Sequence, residues 1–211
     1  MPIDPSTLAL FALVSLALNL TPGPDMLYAV GRRLSLGASA GYAAAMGNFL
    51  GTLVHTAAAA LGLAALLAAS AEAFTVVRWI GAGVLILLGL RALLSRDAAP
   101  TARDDRPAVS LWRVVGESFA IHTLNPKTAV FFLAFLPQFV DPTLAPPTPQ
   151  IVLLGLWFAV QAALVLCLVT ALGGFVSTRL INAPRITDAL RRAIGGVLVL
   201  LGLRLALSAS R

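Results

Sequence analysis

Two short runs, Thr21-Pro22-Gly23-Pro24-Asp25 and Leu124-Asn125-Pro126-Lys127, set helix breakers beside an acid and a base inside long apolar stretches. Pro22 and Pro24 each lack a backbone donor and clash with the preceding turn, and Gly23 relaxes the chain. Helical bonding must therefore fail over about one turn. Asn125-Pro126 interrupts its own stretch in the same way, and the freed carbonyls and amides become ligand groups. The half-helix resuming near Asp25 presents unpaired N–H groups and a positive dipole end, which suits a carboxylate; the Asp25 side chain could instead hold an ammonium. Lys127 supplies a cation able to pair with Asp25 or with a substrate carboxylate. Opposite charges in the two runs fit a zwitterionic ligand. The plainer alternative is a structural ion pair between membrane helices, in which Pro and Gly are common anyway.

Broken backbone and charge persist at membrane depth only where protein or water covers them, so each run marks a lined cavity. The composition supplies the membrane: 59% of residues are hydrophobic and 11% charged, with a mean hydropathy of +0.91. That is far more apolar than a soluble domain. The chain reads as an all-α polytopic membrane protein, with six spans at about 6–30, 40–69, 74–95, 112–138, 150–176 and 191–209, the second and fifth long enough to tilt. The start Met1-Pro2-Ile3-Asp4-Pro5 has no Lys, Arg or small-residue cleavage site, so the first stretch reads as an uncleaved span.

Arg32 and Arg33 follow the first span; Arg91, Arg96, Arg103, Arg106 and Arg113 surround the third loop; Arg179, Arg185, Arg191 and Arg192 surround the fifth. Arg78, Arg204 and Arg211 lie on the other side. The positive-inside rule then puts both termini outside the cytoplasm of a multi-pass inner-membrane protein. These arginines are scattered beside spans without interleaved aromatics, so the basic pI of about 11.0 does not point to nucleic acid.

Arg78-Trp79-Ile80-Gly81-Ala82-Gly83-Val84-Leu85-Ile86-Leu87-Leu88-Gly89-Leu90-Arg91 recurs as Arg191-Arg192-Ala193-Ile194-Gly195-Gly196-Val197-Leu198-Val199-Leu200-Leu201-Gly202-Leu203-Arg204. The shared Arg and Gly positions carry this match between the third and sixth spans. Pro24-Asp25 and Pro126-Lys127 likewise correspond in the first and fourth. One domain, residues 1–211, thus holds a repeat over about 1–95, a cytoplasmic linker over about 96–110 and a second repeat over about 111–211. Three spans per repeat make the two halves inverted, the plan in which broken helices build a midplane transport site.

Asn19, Thr21, Asn48, Thr52, His55, Thr56, His122, Thr123, Thr128 and Gln161 form a sparse polar lining. Gly47 and Gly51 make a small-residue face, with Asn48 and His55 at its edge, suited to packing against a broken helix. His55 and His122 could carry a proton or simply pack through hydrogen bonds. Metal binding is disfavoured because the nearby acid is Asp25 alone and no H-x-x-x-H, Met or Cys pattern joins the histidines. Cys167, the single cysteine, excludes an internal disulfide and reads as a packed thiol. Tyr28 and Trp112 read as interface-belt residues, and Glu117 as facing headgroups or cytosol. The third loop, Ser95 to Ser110, reads as a mobile tether and the Pro-rich stretch Asp141 to Pro149 as a stiff outer connector. No catalytic spacing links Asp25, His55 and His122, and no cofactor motif is present. A passive channel or membrane scaffold is the alternative outside the carrier class.

Leu20-Thr21-Pro22-Gly23-Pro24-Asp25, Gly31-Arg32-Arg33, Gly47 to His55, Asn125-Pro126-Lys127 and Phe131-Phe132-Leu133-Ala134-Phe135-Leu136-Pro137-Gln138-Phe139 together resemble the LysE/RhtB-type amino-acid exporters over nearly the whole chain. The resemblance implies an inner-membrane exporter of neutral amino acids such as homoserine, threonine or leucine, driven by proton antiport and capable of forming a homodimer. Relatives that move metal ions carry extra intramembrane acids or thiols that are missing here, so a metal ion or another small solute is the alternative cargo. Residues and resemblance together nominate Pro22, Gly23, Pro24, Asp25, Asn48, His55, Asn125, Pro126 and Lys127 for substrate binding and coupling. The expected partners are an amino acid, protons and the bilayer.

Overall fold

The computed structural model describes residues 2–21, 23–69 and 109–172, with isolated helical positions between 79 and 94 and between 192 and 203. Every regular element among them is helical, and the chain is an all-α polytopic membrane protein. The expected third and sixth spans, their sequence repeat and the 96–110 linker lie outside the continuously described residues.

Helix α1 (Pro5–Leu20) begins under an Asp4 cap, whose carboxylate accepts from the amides of Ser6 at 2.9 Å and Thr7 at 3.1 Å. It ends where Thr21 turns extended, the Thr21 hydroxyl donating back to the Ala17 carbonyl at 2.9 Å. After an extended Gly23, α2 (Pro24–Leu36) restarts with proline at its first position, where the missing N–H costs nothing. The two pieces meet at 54°. The expected span at about 6–30 is thus a bent pair that continues to Leu36. Gly37 then adopts φ +93, a conformation open to glycine, and directs the chain into α3 (Ala38–Ala69).

The fourth stretch is broken in the same manner. Helix α4 (Leu111–Thr123) stops at Leu124, and Asn125 caps the five-residue α5 (Pro126–Val130) by accepting from the Lys127 amide at 3.0 Å. A π-turn at Phe131–Phe135 and a 3-10 turn at Leu136–Phe139 follow. Pro137 accounts for that irregularity, since its ring clashes with the carbonyl four residues back. The two halves of this pair bend by 50°. Helix α6 (Pro147–Ala171) has 25 residues; at about 1.5 Å each they outreach the hydrocarbon core and allow a tilt. It starts and ends a few residues before the expected 150–176 span.

Helix α3 is the hub, packed against α4 on one side and α6 on the other. Gly47 meets the Val115 carbonyl and Ser118, Gly51 lies against His122, and Gly155 of α6 lies against Thr56. These side-chain-free positions let helix backbones approach where apolar surface alone gives no drive to associate in lipid. One apolar cluster joins Phe11 and Leu18 of α1 to Phe131, Phe135 and Phe139, with Ile151, Leu154 and Phe158 of α6. A second joins Ala29, Ala44, Ala45, Val114 and Leu166, with Cys167 packed alongside. Leu13, Leu61, Leu124 and Leu164 are turned outward, as the outer surface of a bilayer protein requires. The Pro-rich connector from Asp141 is pinned by Gln150, which donates to the Asp141 and Ala145 carbonyls at 2.7 Å each and accepts from the Asp141 amide at 3.0 Å.

Candidate functional site

The two breaks come together. Asp25 stands in the first turn of α2, where a carboxylate complements the helix dipole, and is 8% exposed. Asn125, at the other break, donates its Nδ2 to both carboxylate oxygens of Asp25 at 2.9 Å. Its Oδ1 meanwhile caps α5, so one amide both ends the fourth-span break and holds the acid of the first. His122, one turn before Asn125, brings Nδ1 to 3.1 Å from Asp25 Oδ2. Behind it lie Asn48 Nδ2 at 2.7 Å from the same Nδ1 and Thr52 Oγ1 at 2.9 Å from Nε2.

Lys127 does not complete a contact ion pair with Asp25. Its Nζ donates instead to the Thr21 carbonyl at 3.4 Å, an oxygen released by the end of α1. Gly23 makes this approach possible, because a Cβ there would stand 3.1 Å from that ammonium. Acid and base therefore occupy the same small space while each keeps its own hydrogen-bond partner. The space is a cavity of about 20 Å³. Asp25, Asn48, His122, Lys127 and Thr128 line its polar side, and Met26, Phe158, Ala162 and Leu166 its apolar side. It has room for a water molecule but not for an amino acid, so loading a larger solute requires the walls to part.

The expected site residues distribute unevenly around this centre. Gly23, Asp25, Asn48, Asn125 and Lys127 converge on it, and Pro24 and Pro126 open the half-helices that carry it. Pro22 lies outside the described residues. His55 sits one layer behind, 3.2 Å from the His122 carbonyl and with its ring 5.7 Å from that of Phe132. His122, absent from the nominated set, is 2% exposed and central. Its spacing three residues before Asn125 was the available signal, since i and i+3 share a helix face. Among the described residues no three His, Cys, Asp or Glu side chains gather as a metal-binding group.

A polar clasp that sequence reasoning missed joins α2 to α4 further along. Glu117 Oε2 accepts from the Tyr28 hydroxyl at 2.7 Å and from Arg32 Nη2 at 2.6 Å, while its Oε1 accepts from Arg113 Nε at 2.9 Å. The Arg32 guanidinium also lies 5.1 Å from the centre of the Tyr28 ring. Tyr28, read as a belt residue, and Glu117, read as facing headgroups or cytosol, are thus tied to each other through the clasp. Trp112, 82% exposed, is free to meet an interface. Next to the clasp, Arg33 Nε donates to the Thr170 carbonyl at the end of α6, at 3.1 Å. A double-mutant cycle of Arg32→Ala and Glu117→Ala, read by thermal unfolding in detergent, should give a coupling of about 0.5–3 kcal/mol, the range for residues in one charge network. Additive losses would mean that the clasp is not a unit.

Comparison with known proteins gives the site its setting. A family model described as LysE type translocator matches residues 16–209. An uncharacterized membrane protein of Vibrio cholerae is 32% identical over 197 residues, covering 93% of this chain and 94% of that relative. The leucine efflux protein of Klebsiella pneumoniae is 28% identical over 89% of this chain and 88% of its own length. The homoserine/homoserine lactone efflux protein of Salmonella typhi is 29% identical over 93% and 94%. No solved structure matches the chain. The broken spans, the charged residues held at their breaks and the match across residues 16–209 lead to one conclusion: the chain belongs to the LysE-type translocators, and is a membrane transporter rather than an enzyme.

Proposed function

We propose that this chain exports a neutral amino acid or close derivative, of the leucine, homoserine and threonine class, across the cytoplasmic membrane in exchange for protons. The observation that carries the reading is the convergence of both broken spans on one buried carboxylate, with an ammonium across a cavity too small for an amino acid. A zwitterion matches that pair: its ammonium suits Asp25 and its carboxylate suits Lys127. The relatives named for leucine and homoserine efflux support the substrate class. In this reading the inverted repeats rock about the site, which opens first to one face and then to the other. By the positive-inside rule, the basic residues Arg32, Arg33 and Arg113 support a cytoplasmic end for the clasp, with both termini on the opposite side.

Uptake of labelled amino acids into everted membrane vesicles, with and without an acidic interior, tests the proposal. Leucine or homoserine is expected to accumulate only with the gradient, and preloading with unlabelled substrate is expected to drive counterflow. A well-folded protein that accumulates no amino acid under either condition would overturn the reading in favour of another small solute or a metal ion. Gradient-insensitive flux without counterflow would indicate a passive channel.

A further inference from the structure

The contacts of the buried His122 ring depend on whether Nδ1 carries a proton. Thr52 has a single hydroxyl hydrogen, and the Asn48 backbone carbonyl 3.0 Å away can only accept it. With that hydrogen committed, the 2.9 Å contact between Thr52 Oγ1 and His122 Nε2 needs the hydrogen on Nε2. In a neutral imidazole this leaves Nδ1 as a lone pair that accepts from Asn48 Nδ2 at 2.7 Å. The approach of the same nitrogen to Asp25 Oδ2 at 3.1 Å then holds no hydrogen, in a site that is 2% exposed at His122; a proton on Nδ1 turns it into a hydrogen bond. With that proton in place the Asn48 amide must reverse, because its Nδ2 would otherwise stand donor against donor at 2.7 Å. Its Oδ1, which has no other partner, then accepts from Nδ1–H alongside Asp25.

We propose that Asp25 and His122 together form the proton-binding site of the exchanger, one proton lying between Oδ2 and Nδ1, and that the substrate's ammonium displaces it by donating to both atoms. This deepens the antiport reading and rests on it. The exchange balances: the proton leaves for water as the ammonium, already protonated in solution, supplies two N–H donors to the same two acceptors. No bond to carbon or nitrogen of the substrate changes. The other groups facing the pair are Lys127 from α5, which shares the cavity, and His55 from α3, which contacts the His122 carbonyl. Neither comes between Oδ2 and Nδ1. Because Asp25 belongs to α2 and His122 to α4, the proton also links the halves of the two broken spans. Its loss, unless an ammonium takes its place, sets their acceptors in opposition and favours separation.

Nitrogen-15 NMR of the histidine rings in the full-length protein in micelles tests the pair without any substrate. The chain has two histidines, so His55→Gln leaves the His122 signals alone. Nδ1 is expected to report a shared or bound proton that is released in one step as pH rises, and to become a plain acceptor in Asp25→Asn. A bare Nδ1 at every pH at which the protein is folded would overturn the proposal, and so would a signal unchanged by Asp25→Asn. Transport supplies the second arm. In everted vesicles, His122→Gln keeps an acceptor and a donor but cannot titrate; it should insert and unfold like the native protein in detergent and lose accumulation driven by the proton gradient. Wild-type gradient-driven accumulation by His122→Gln would refute the shared site while leaving the exporter reading intact. Failure of the native protein to move amino acids would instead refute the exporter reading, and the NMR titration would still decide the proton site.

Discussion

Asp25→Asn is expected to reduce gradient-driven export to the background of vesicles lacking the protein, without preventing insertion or folding. The amide has nearly the shape of the carboxylate and keeps one acceptor oxygen for Asn125, whose Nδ2 now reaches both oxygens of Asp25. Its nitrogen can donate toward His122 Nδ1, which lies 3.1 Å from Oδ2. Local structure is therefore largely satisfied, and what disappears is the negative charge. In the proposed mechanism a proton and a substrate ammonium compete for that charge, so its removal would uncouple the two fluxes and also leave Lys127 as the cation in the cavity with no acid opposite. Uptake assays paired with a thermal unfolding curve in detergent separate the two effects. Undiminished gradient-driven accumulation by a folded Asp25→Asn protein would remove Asp25 from the mechanism.

Gly47→Ala should be the most damaging small substitution in the described part of the chain. A Cβ at Gly47 would collide with the Val115 carbonyl and come within 2.9 Å of the Phe119 amide nitrogen. These are backbone atoms of α4 and cannot rotate away as a side-chain tip could. Helices α3 and α4 would have to separate, at a cost of about 1–3 kcal/mol from overpacking. Because α4 carries His122 and α3 carries Asn48 and Thr52, the same separation should stretch the contacts behind Asp25 and slow transport as well. Gly62→Ala is the matched control: it lies in the same helix with nothing within 4 Å of a new Cβ. Thermal unfolding should show a clear drop for Gly47→Ala and none for Gly62→Ala. Equal behaviour would mean that the α3–α4 contact is looser than its geometry indicates.

The breaks themselves were legible in the sequence. Proline removes a donor wherever it stands, so Pro24 and Pro126 mark the starts of half-helices with no knowledge of their neighbours. Length and apolarity marked the unbroken helices at Ala38–Ala69 and Pro147–Ala171 to within a few residues. The likeness of the two charged runs also singled out Asp25 and Lys127, because charge inside an apolar stretch is costly irrespective of fold.

Partner choice was not legible. Asp25 and Asn125 are 100 positions apart, and Asp25 and His122 are 97. Sequence put an acid and a base in like places and left open whether they pair with each other or with a substrate. The tertiary structure gave the acid to Asn125 and His122, and the base to a carbonyl freed by the break at Thr21. Likewise, Tyr28 and Glu117 looked like independent boundary residues until α2 and α4 were laid side by side. The physical reason is that helix breaking, span length and burial cost are properties of a few consecutive residues, whereas a contact across a hundred positions depends on helix rotation and depth. Those are set by where backbones can approach, at Gly47, Gly51 and Gly155, and small differences there decide which polar group each charge meets.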